Sequence, residues 1–144
     1  MILIRHNKEK QRSVYFCDTY YRKVWSNIDP AWIKNHVDLL NEVVPGFVLR
    51  FGNDWIDYRI IKGIPASELP QTQELLEKIY KFCLEQNEKT KPFYHGDWTL
   101  SNIIVDGDTM TMIDWDNLGR YREEEVLNKL HADLKSAFGN LYVL

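Results

Sequence analysis

His95-Gly96-Asp97-Trp98-Thr99-Leu100-Ser101-Asn102 leads directly into Ile103-Ile104-Val105-Asp106-Gly107-Asp108-Thr109-Met110-Thr111-Met112-Ile113-Asp114. The second half reads as a β-hairpin, because two apolar or alternating runs flank an Asp-Gly turn signal. A turn centred near residues 107–108 sets residue 102 opposite residue 113. Asn102, entering the first strand, and Asp114, leaving the second, then lie side by side at the open end, with Asp97 on an adjoining loop. One amide oxygen and a carboxylate are oxygen-only donors of the kind a hard cation takes. Mg²⁺ commonly uses one or two carboxylates, keeps several waters and fills its other positions with substrate phosphates. A phosphorylated ligand would complete such a site.

Upstream of this segment the chain reads first as β. Residues 2–5 are a short apolar run, 7–11 a polar connection, and 13–16 and 20–25 are β-branched and aromatic stretches around a tight turn at Cys17-Asp18-Thr19. Asp29-Pro30 suits an N-cap followed by the first helical position. Ile33, Val37, Leu40 and Val44 then give a helix one apolar face, and Pro45-Gly46 stops it. Residues 47–51 and 55–61 read as two strands joined at Gly52-Asn53-Asp54. Pro70 is expected to open a helix over about 70–88, with Leu75, Leu76, Ile79, Tyr80, Phe82 and Cys83 as its buried stripe. A further amphipathic helix is expected over about 122–138, with Val126, Leu127, Leu130, Leu134 and Phe138 inward, before an apolar tail at 141–144.

Composition narrows the function classes. The chain has 144 residues, 44% of them hydrophobic, which suits one domain or two small lobes with a buried core. A net charge of −3 argues against a nucleic-acid binder held by a broad basic surface. No apolar run approaches the roughly 18 residues that span a bilayer, and the apolar opening at residues 1–4 is too short for a signal peptide. Cys17 and Cys83 lack any metal-knuckle or disulfide-framework spacing. The expectation is a soluble protein of a reducing cytoplasm, with neither a membrane nor a nucleic acid as partner.

The joint pattern His95-Gly96-Asp97, Asn102, and Asp114 within Ile113-Asp114-Trp115, with a hairpin between, resembles the catalytic loop and metal motif of the aminoglycoside phosphotransferase and choline kinase group. That group belongs to the protein-kinase-like superfamily. The resemblance implies an α+β, two-lobe fold: an N-lobe over 1–62, built of a small antiparallel sheet with one helix, and a reduced helical C-lobe over 63–144 that carries the catalytic hairpin. It implies ATP (or GTP) and Mg²⁺ as cofactors, and transfer of the γ-phosphoryl to a hydroxyl of a small molecule such as a sugar, an amino alcohol or an aminoglycoside-like compound. Asp97 would be the catalytic carboxylate, Asn102 and Asp114 the metal ligands, His95 a support for the loop, and Gly96 the residue allowing its tight path. In the N-lobe Lys23 would contact the α/β-phosphates and pair with Asp38 or Glu42 of the first helix, Glu42 being preferred. Arg22 would point to the opposite face of the strand. Ile60-Ile61-Lys62-Gly63 resembles the hinge, so the backbone of Ile61 and Lys62 would hold adenine.

The chain departs from that pattern in two places. Residues 7–13 contain no glycine, which leaves Ser13 and local amides in place of a glycine-rich phosphate cradle. After Asp114 there is one amphipathic helix where the group has a substantial helical subdomain, so the acceptor pocket would be reduced, open, or completed by a second copy or another protein. These departures favour an alternative, a nucleotide-binding pseudokinase or regulatory module. Retention of Asp97, Asn102 and Asp114 favours the enzyme. A metal-dependent hydrolase or nuclease would use the same carboxylates but leaves Lys23 and the hinge-like segment without a role.

Overall fold

The computed structural model describes residues 1–142; Val143 and Leu144 of the apolar tail lie outside the described residues. The chain divides into two compact units, Met1–Ile60 and a second beginning at Ile61. Its class is α+β, with an antiparallel sheet and, among the described residues, three α-helices, as expected.

In the first unit β1 (Ile2–Asn7), β2 (Arg12–Phe16), β3 (Tyr20–Trp25), β4 (Val48–Phe51) and β5 (Trp55–Arg59) form one antiparallel sheet in the order β1-β2-β3-β5-β4. The tight turn between β2 and β3 forms at Cys17-Asp18-Thr19, where Asp18 takes a left-handed φ of 64°. Helix α1 (Pro30–Val43) connects β3 to β4. The Asp29 carboxylate accepts the Ala31 N–H at 2.9 Å, and Pro30 fills the position where a missing N–H costs nothing. The buried stripe of α1 is Ile33, His36, Val37 and Leu40.

Strand alternation sorts this sheet into two faces. Lys23 stands beside Ile56, and Tyr21 beside Tyr58, on one face; Arg22 stands beside Asp57 on the other. Asp57 is fully buried. Arg22 grips it with Nε on Oδ1 at 2.7 Å and a second guanidinium nitrogen on Oδ2 at 3.0 Å, and Arg50 Nε donates to Oδ2 at 2.6 Å. Both guanidinium groups also lie over aromatic rings, Arg22 at 4.1 Å from Trp55 and Arg50 at 4.6 Å from Tyr20. Burial alone would raise the Asp57 pKa, but the hydrogen bonds and charges of Arg22 and Arg50 outweigh it and hold the carboxyl below its ordinary range.

The second unit contains β6 (Ile64–Pro65), α2 (Gln73–Thr90), β7 (Phe93–Tyr94), β8 (Ile103–Asp106), β9 (Thr109–Met112), β10 (Gly119–Arg120) and α3 (Glu123–Phe138). Helix α2 starts three residues beyond the expected Pro70. Thr72 is the cap, its Oγ1 accepting the Leu75 N–H at 3.1 Å, and Gln71 is tied back to the Leu69 carbonyl at 2.7 Å. Leu76, Ile79 and Cys83 are buried, whereas Leu75, Tyr80 and Phe82 are half-buried, so the stripe is narrower than expected. Val126, Leu130, Leu134 and Phe138 form the buried face of α3, and Leu127 is half-buried. Its first turn carries Glu123, Glu124 and Glu125, which complement the positive end of the helix dipole. Strands β6, β8 and β9 form one small sheet and β7 with β10 another. The two-residue strands β6, β7 and β10 were not expected, because two residues carry no periodicity.

Replacing Asp57 by Asn leaves two guanidinium groups on a neutral amide. It is expected to lower stability by about 2 kcal/mol in urea denaturation at neutral pH. A carboxyl whose folded pKa is depressed contributes stability that is present above its unfolded value and lost as pH falls through the folded one. The gap between wild type and Asp57→Asn should therefore narrow below about pH 4.

Candidate active site

The hairpin closes in the register read from the sequence. Ile103 pairs with Met112, Ile104 with Thr111, Val105 with Met110 and Asp106 with Thr109. One step further out, the Ile113 N–H donates to the Asn102 carbonyl at 2.8 Å. Asn102 and Asp114 thus leave the open end of the same hairpin. Residues 100–102 form a single 3₁₀ turn that delivers Asn102 to β8.

The Asn102 side chain is buried and turned back towards Asp97. Its Nδ2 donates to the Asp97 carbonyl at 3.1 Å and to Asp97 Oδ2 at 3.4 Å. Both hydrogen bonds of the side chain use Nδ2, so Oδ1 is left as its acceptor. The structure brings Asp97 and Asn102 together directly, and places Asp114 one residue beyond the hydrogen bond that closes the hairpin. Asp114 is half-buried and adopts a left-handed φ of 59°, a conformation uncommon for a residue with a side chain and best tolerated by Asp and Asn. It re-aims the chain where it leaves β9.

His95 ties the loop to the hairpin. Its Nε2–H donates to the Ile113 carbonyl at 2.8 Å, and its Nδ1 accepts the Asp97 N–H at 3.1 Å. Those two bonds define the neutral Nε2–H tautomer. Burial pushes the His95 pKa below its ordinary value, although the Ile113 carbonyl and the charges of Asp114, Asp97 and Asp116 pull the other way. The ring packs edge-on against Trp115 at 4.7 Å and tilted against Trp98 at 5.6 Å. Trp115 is 2% exposed and donates Nε1–H to the Met112 carbonyl at 3.0 Å, so it anchors the end of β9.

Gly96 has φ +87°, and a Cβ there would lie 2.4 Å from the Asn117 carbonyl oxygen. Only glycine fits both the conformation and the approach. The Tyr121 hydroxyl donates to that same carbonyl at 2.5 Å. Nothing in the sequence marked Asn117 and Tyr121 as the wall behind Gly96. The contact is long-range and neither residue falls in a periodic run.

In the first unit Lys23 is buried on the sheet face shared with Ile56 and Val14, its ammonium 5.6 Å from the Tyr58 ring centre. Arg22 occupies the opposite face, on Asp57. Glu42 is exposed and lies outside the buried stripe of α1, and Asp38 pairs with Lys34 at 2.9 Å on the exposed side. The polar residue within that stripe is His36, stacked on Trp32 at 4.7 Å. Ile61 is half-buried and Lys62 exposed, in chain without regular structure ahead of β6.

Among the described residues no three His, Cys, Asp or Glu side chains cluster as metal ligands. The donor set at the hairpin end is an amide oxygen and a carboxylate. That set fits Mg²⁺, an ion that relies on water and phosphate for much of its coordination.

A comparison of folds finds a crystal structure of monomeric WbdD at TM-score 0.68 and 17% identity, covering 91% of this chain and 38% of that one. It also finds the spectinomycin phosphotransferase APH(9)-Ia in complex with ADP and spectinomycin, at TM-score 0.48 and 12% identity, covering 99% of this chain and 75% of that one. At 17% identity the likeness to the WbdD structure is one of fold. The chain spans well under half the length of the WbdD structure it matches. No protein-family model matches the sequence, and no curated protein matches it. No helix among the described residues is long and apolar enough to cross a membrane.

His95→Phe would keep the buried ring but remove both hydrogen bonds. It should cost about 2 kcal/mol or more, because the Asp97 N–H and the Ile113 carbonyl lose their partners. A histidine with a depressed folded pKa stabilises the fold above its unfolded value of about 6.5 and loses that contribution as pH falls towards the folded one. The difference between wild type and variant, followed by denaturation midpoint, should shrink below about pH 6.5.

Proposed function

We propose that the chain is an ATP- (or GTP-) and Mg²⁺-dependent phosphotransferase that moves the γ-phosphoryl to the hydroxyl of a small molecule, of the protein-kinase-like type that its motif resembles. The observation that carries this reading is the Asn102 side chain. One amide holds the Asp97 carboxylate through Nδ2 while its own backbone carbonyl closes the hairpin that leads into Asp114.

The roles follow from the chemistry of each group. Asp97 orients the acceptor hydroxyl and takes its proton at Oδ1 or Oδ2 as the oxygen attacks. Asn102 Oδ1 and the Asp114 carboxylate would hold Mg²⁺, which when bound neutralises phosphate charge. The need for it is electrostatic: two unit negative charges about 4 Å apart repel by about 4 kcal/mol at an effective dielectric of about 20. Lys23 supplies a positive charge to the α/β-phosphates from its sheet face, and the backbone of Ile61 and Lys62 offers adenine its hydrogen-bonding partners. Neutral His95 neither gives nor takes the proton, since both ring nitrogens are engaged with the backbone. Its work is to hold Asp97 in place relative to the hairpin. Little covalent chemistry is asked of the protein, because phosphoryl transfer of this kind is chiefly positioning and charge stabilisation. The setting is an intracellular one with a small-molecule acceptor, with a second copy or another protein as a further wall of the acceptor site.

ATP with Mg²⁺ is expected to raise the thermal unfolding midpoint in a titratable way, since a ligand that binds only the native state adds to its stability. Asp97→Asn should leave that shift in place while turnover with a pool of hydroxyl acceptors falls at least about a hundredfold. Asp114→Ala should remove the Mg²⁺ dependence of nucleotide binding. A wild-type protein unmoved by nucleotide would overturn the proposal, and one that binds nucleotide yet phosphorylates no acceptor would be a regulatory module instead.

A further inference from the structure

Within the second unit, the loop that follows Asp97 forms one wall of a cavity of about 360 Å³. That is the lower end of the range of small-molecule pockets. Its floor is apolar: Ile79 and Cys83 from α2, Ile103 from β8, and Leu130 and Leu134 from α3. Its polar groups are few and sit around that floor: Ser67, Thr99, Ser101, Asp133 and Ser136. Two of these are already committed to each other, since Thr99 Oγ1 and Ser101 Oγ share a hydrogen bond at 3.0 Å. Asp133, the one acidic side chain lining the cavity among the described residues, is paired with Lys129 at 2.9 Å.

Trp98 also lines the cavity, and it supplies a second, independent observation. The residue is 3% exposed, and its Nε1–H has no hydrogen-bond partner among the described residues. A buried indole N–H normally finds one. An oxygen atom on a ligand would satisfy it. The neighbouring Trp115 shows the contrast, its Nε1–H being satisfied by the Met112 carbonyl.

We propose that this cavity binds a compact alcohol with an apolar body, whose oxygen accepts the Trp98 N–H. Resting on the phosphotransferase reading, it is where the apolar part of the acceptor is held, beside the loop that begins at Asp97. The lining argues against a polycationic or polyhydroxylated acceptor. Its one carboxylate is neutralised by Lys129, and two of its four hydroxyl groups are paired with each other, so a ligand rich in ammonium or hydroxyl groups would be stripped of water with few partners in return.

The test uses the full chain with ¹⁵N-labelled tryptophan, without nucleotide or metal, and cyclohexylmethanol and glucose as probes. The Trp98 indole resonance is assigned by its loss in Trp98→Phe. Cyclohexylmethanol should move that resonance saturably and glucose should not. Ala137→Leu, at an exposed position of the cavity wall, should weaken cyclohexylmethanol at least tenfold with circular dichroism unchanged, and Ser136→Leu is the second variant should the first fail to fold. An unmoved Trp98 resonance, equal affinity in the folded wall variant, or a preference for glucose would each overturn the proposal. Alcohol binding that persists in a protein with no response to ATP and Mg²⁺ would overturn the phosphotransferase reading and leave the cavity as a binding site.

Discussion

The hydrogen bond from the Ile113 N–H to the Asn102 carbonyl is the constraint on which the candidate site depends. It is the last rung of the β8–β9 ladder, and its position is set by the Asp106–Thr109 pair at the turn. Side chains alternate across a strand, so a slip of one residue would turn every side chain of β9 to the other face and carry Asp114 away from Asn102. The short Asp-Gly turn protects against that slip by admitting few loop lengths. Geometry at the open end is therefore controlled from the far end of the hairpin, four pairs away along the ladder.

A second layer of control comes from His95. The hairpin alone orients Asn102 and Asp114, but Asp97 lies on a loop with its own freedom. His95 removes it by accepting from the Asp97 N–H and donating to the Ile113 carbonyl, so that loop and hairpin share one buried ring. That arrangement works only for the neutral imidazole, because a protonated ring would have no lone pair to offer the Asp97 N–H. Burial that lowers the His95 pKa thus serves the geometry. Gly96 is needed for the same reason, since the loop passes too close to the Asn117 carbonyl for any side chain.

Much of this was legible in the sequence, and what was legible was local. The hairpin followed from the Asp-Gly turn and two apolar runs, and the start of α1 from Asp29-Pro30. The 102-to-113 register needed only the turn position. What escaped was long-range or too short to show a period: the pairing of β7 with β10, the packing of Asn117 and Tyr121 behind Gly96, and the identity of the polar residue on the inner stripe of α1. The periodicity of α1 predicted Ile33, Val37 and Leu40 correctly, but it could not say that His36 would be buried, its ring stacked on Trp32, or that Glu42 would remain in solvent. A carboxylate on a helix face reads the same whether it is solvated or paired. Burial is decided by what packs against it, and that information is not in the helix.

The two faces of the first sheet show how a one-residue difference in sequence becomes a difference in kind. Arg22 and Lys23 are adjacent cations on β3, yet alternation sends them to opposite sides. Arg22 meets Asp57 and the Trp55 ring, and with Arg50 it forms a closed charge cluster whose components satisfy one another. Its planar guanidinium suits that task, because two parallel hydrogen bonds to one carboxylate fix the geometry as well as the charge. Lys23 lies among Val14, Ile56 and the aromatic rings, as a compact point charge on a flexible stem. A buried ammonium is costly unless an anion or a π-face meets it. The Tyr58 ring faces it at 5.6 Å. Alternation therefore commits Arg22 to the charge cluster on one face of the sheet, while Lys23, one residue along, is buried on the other.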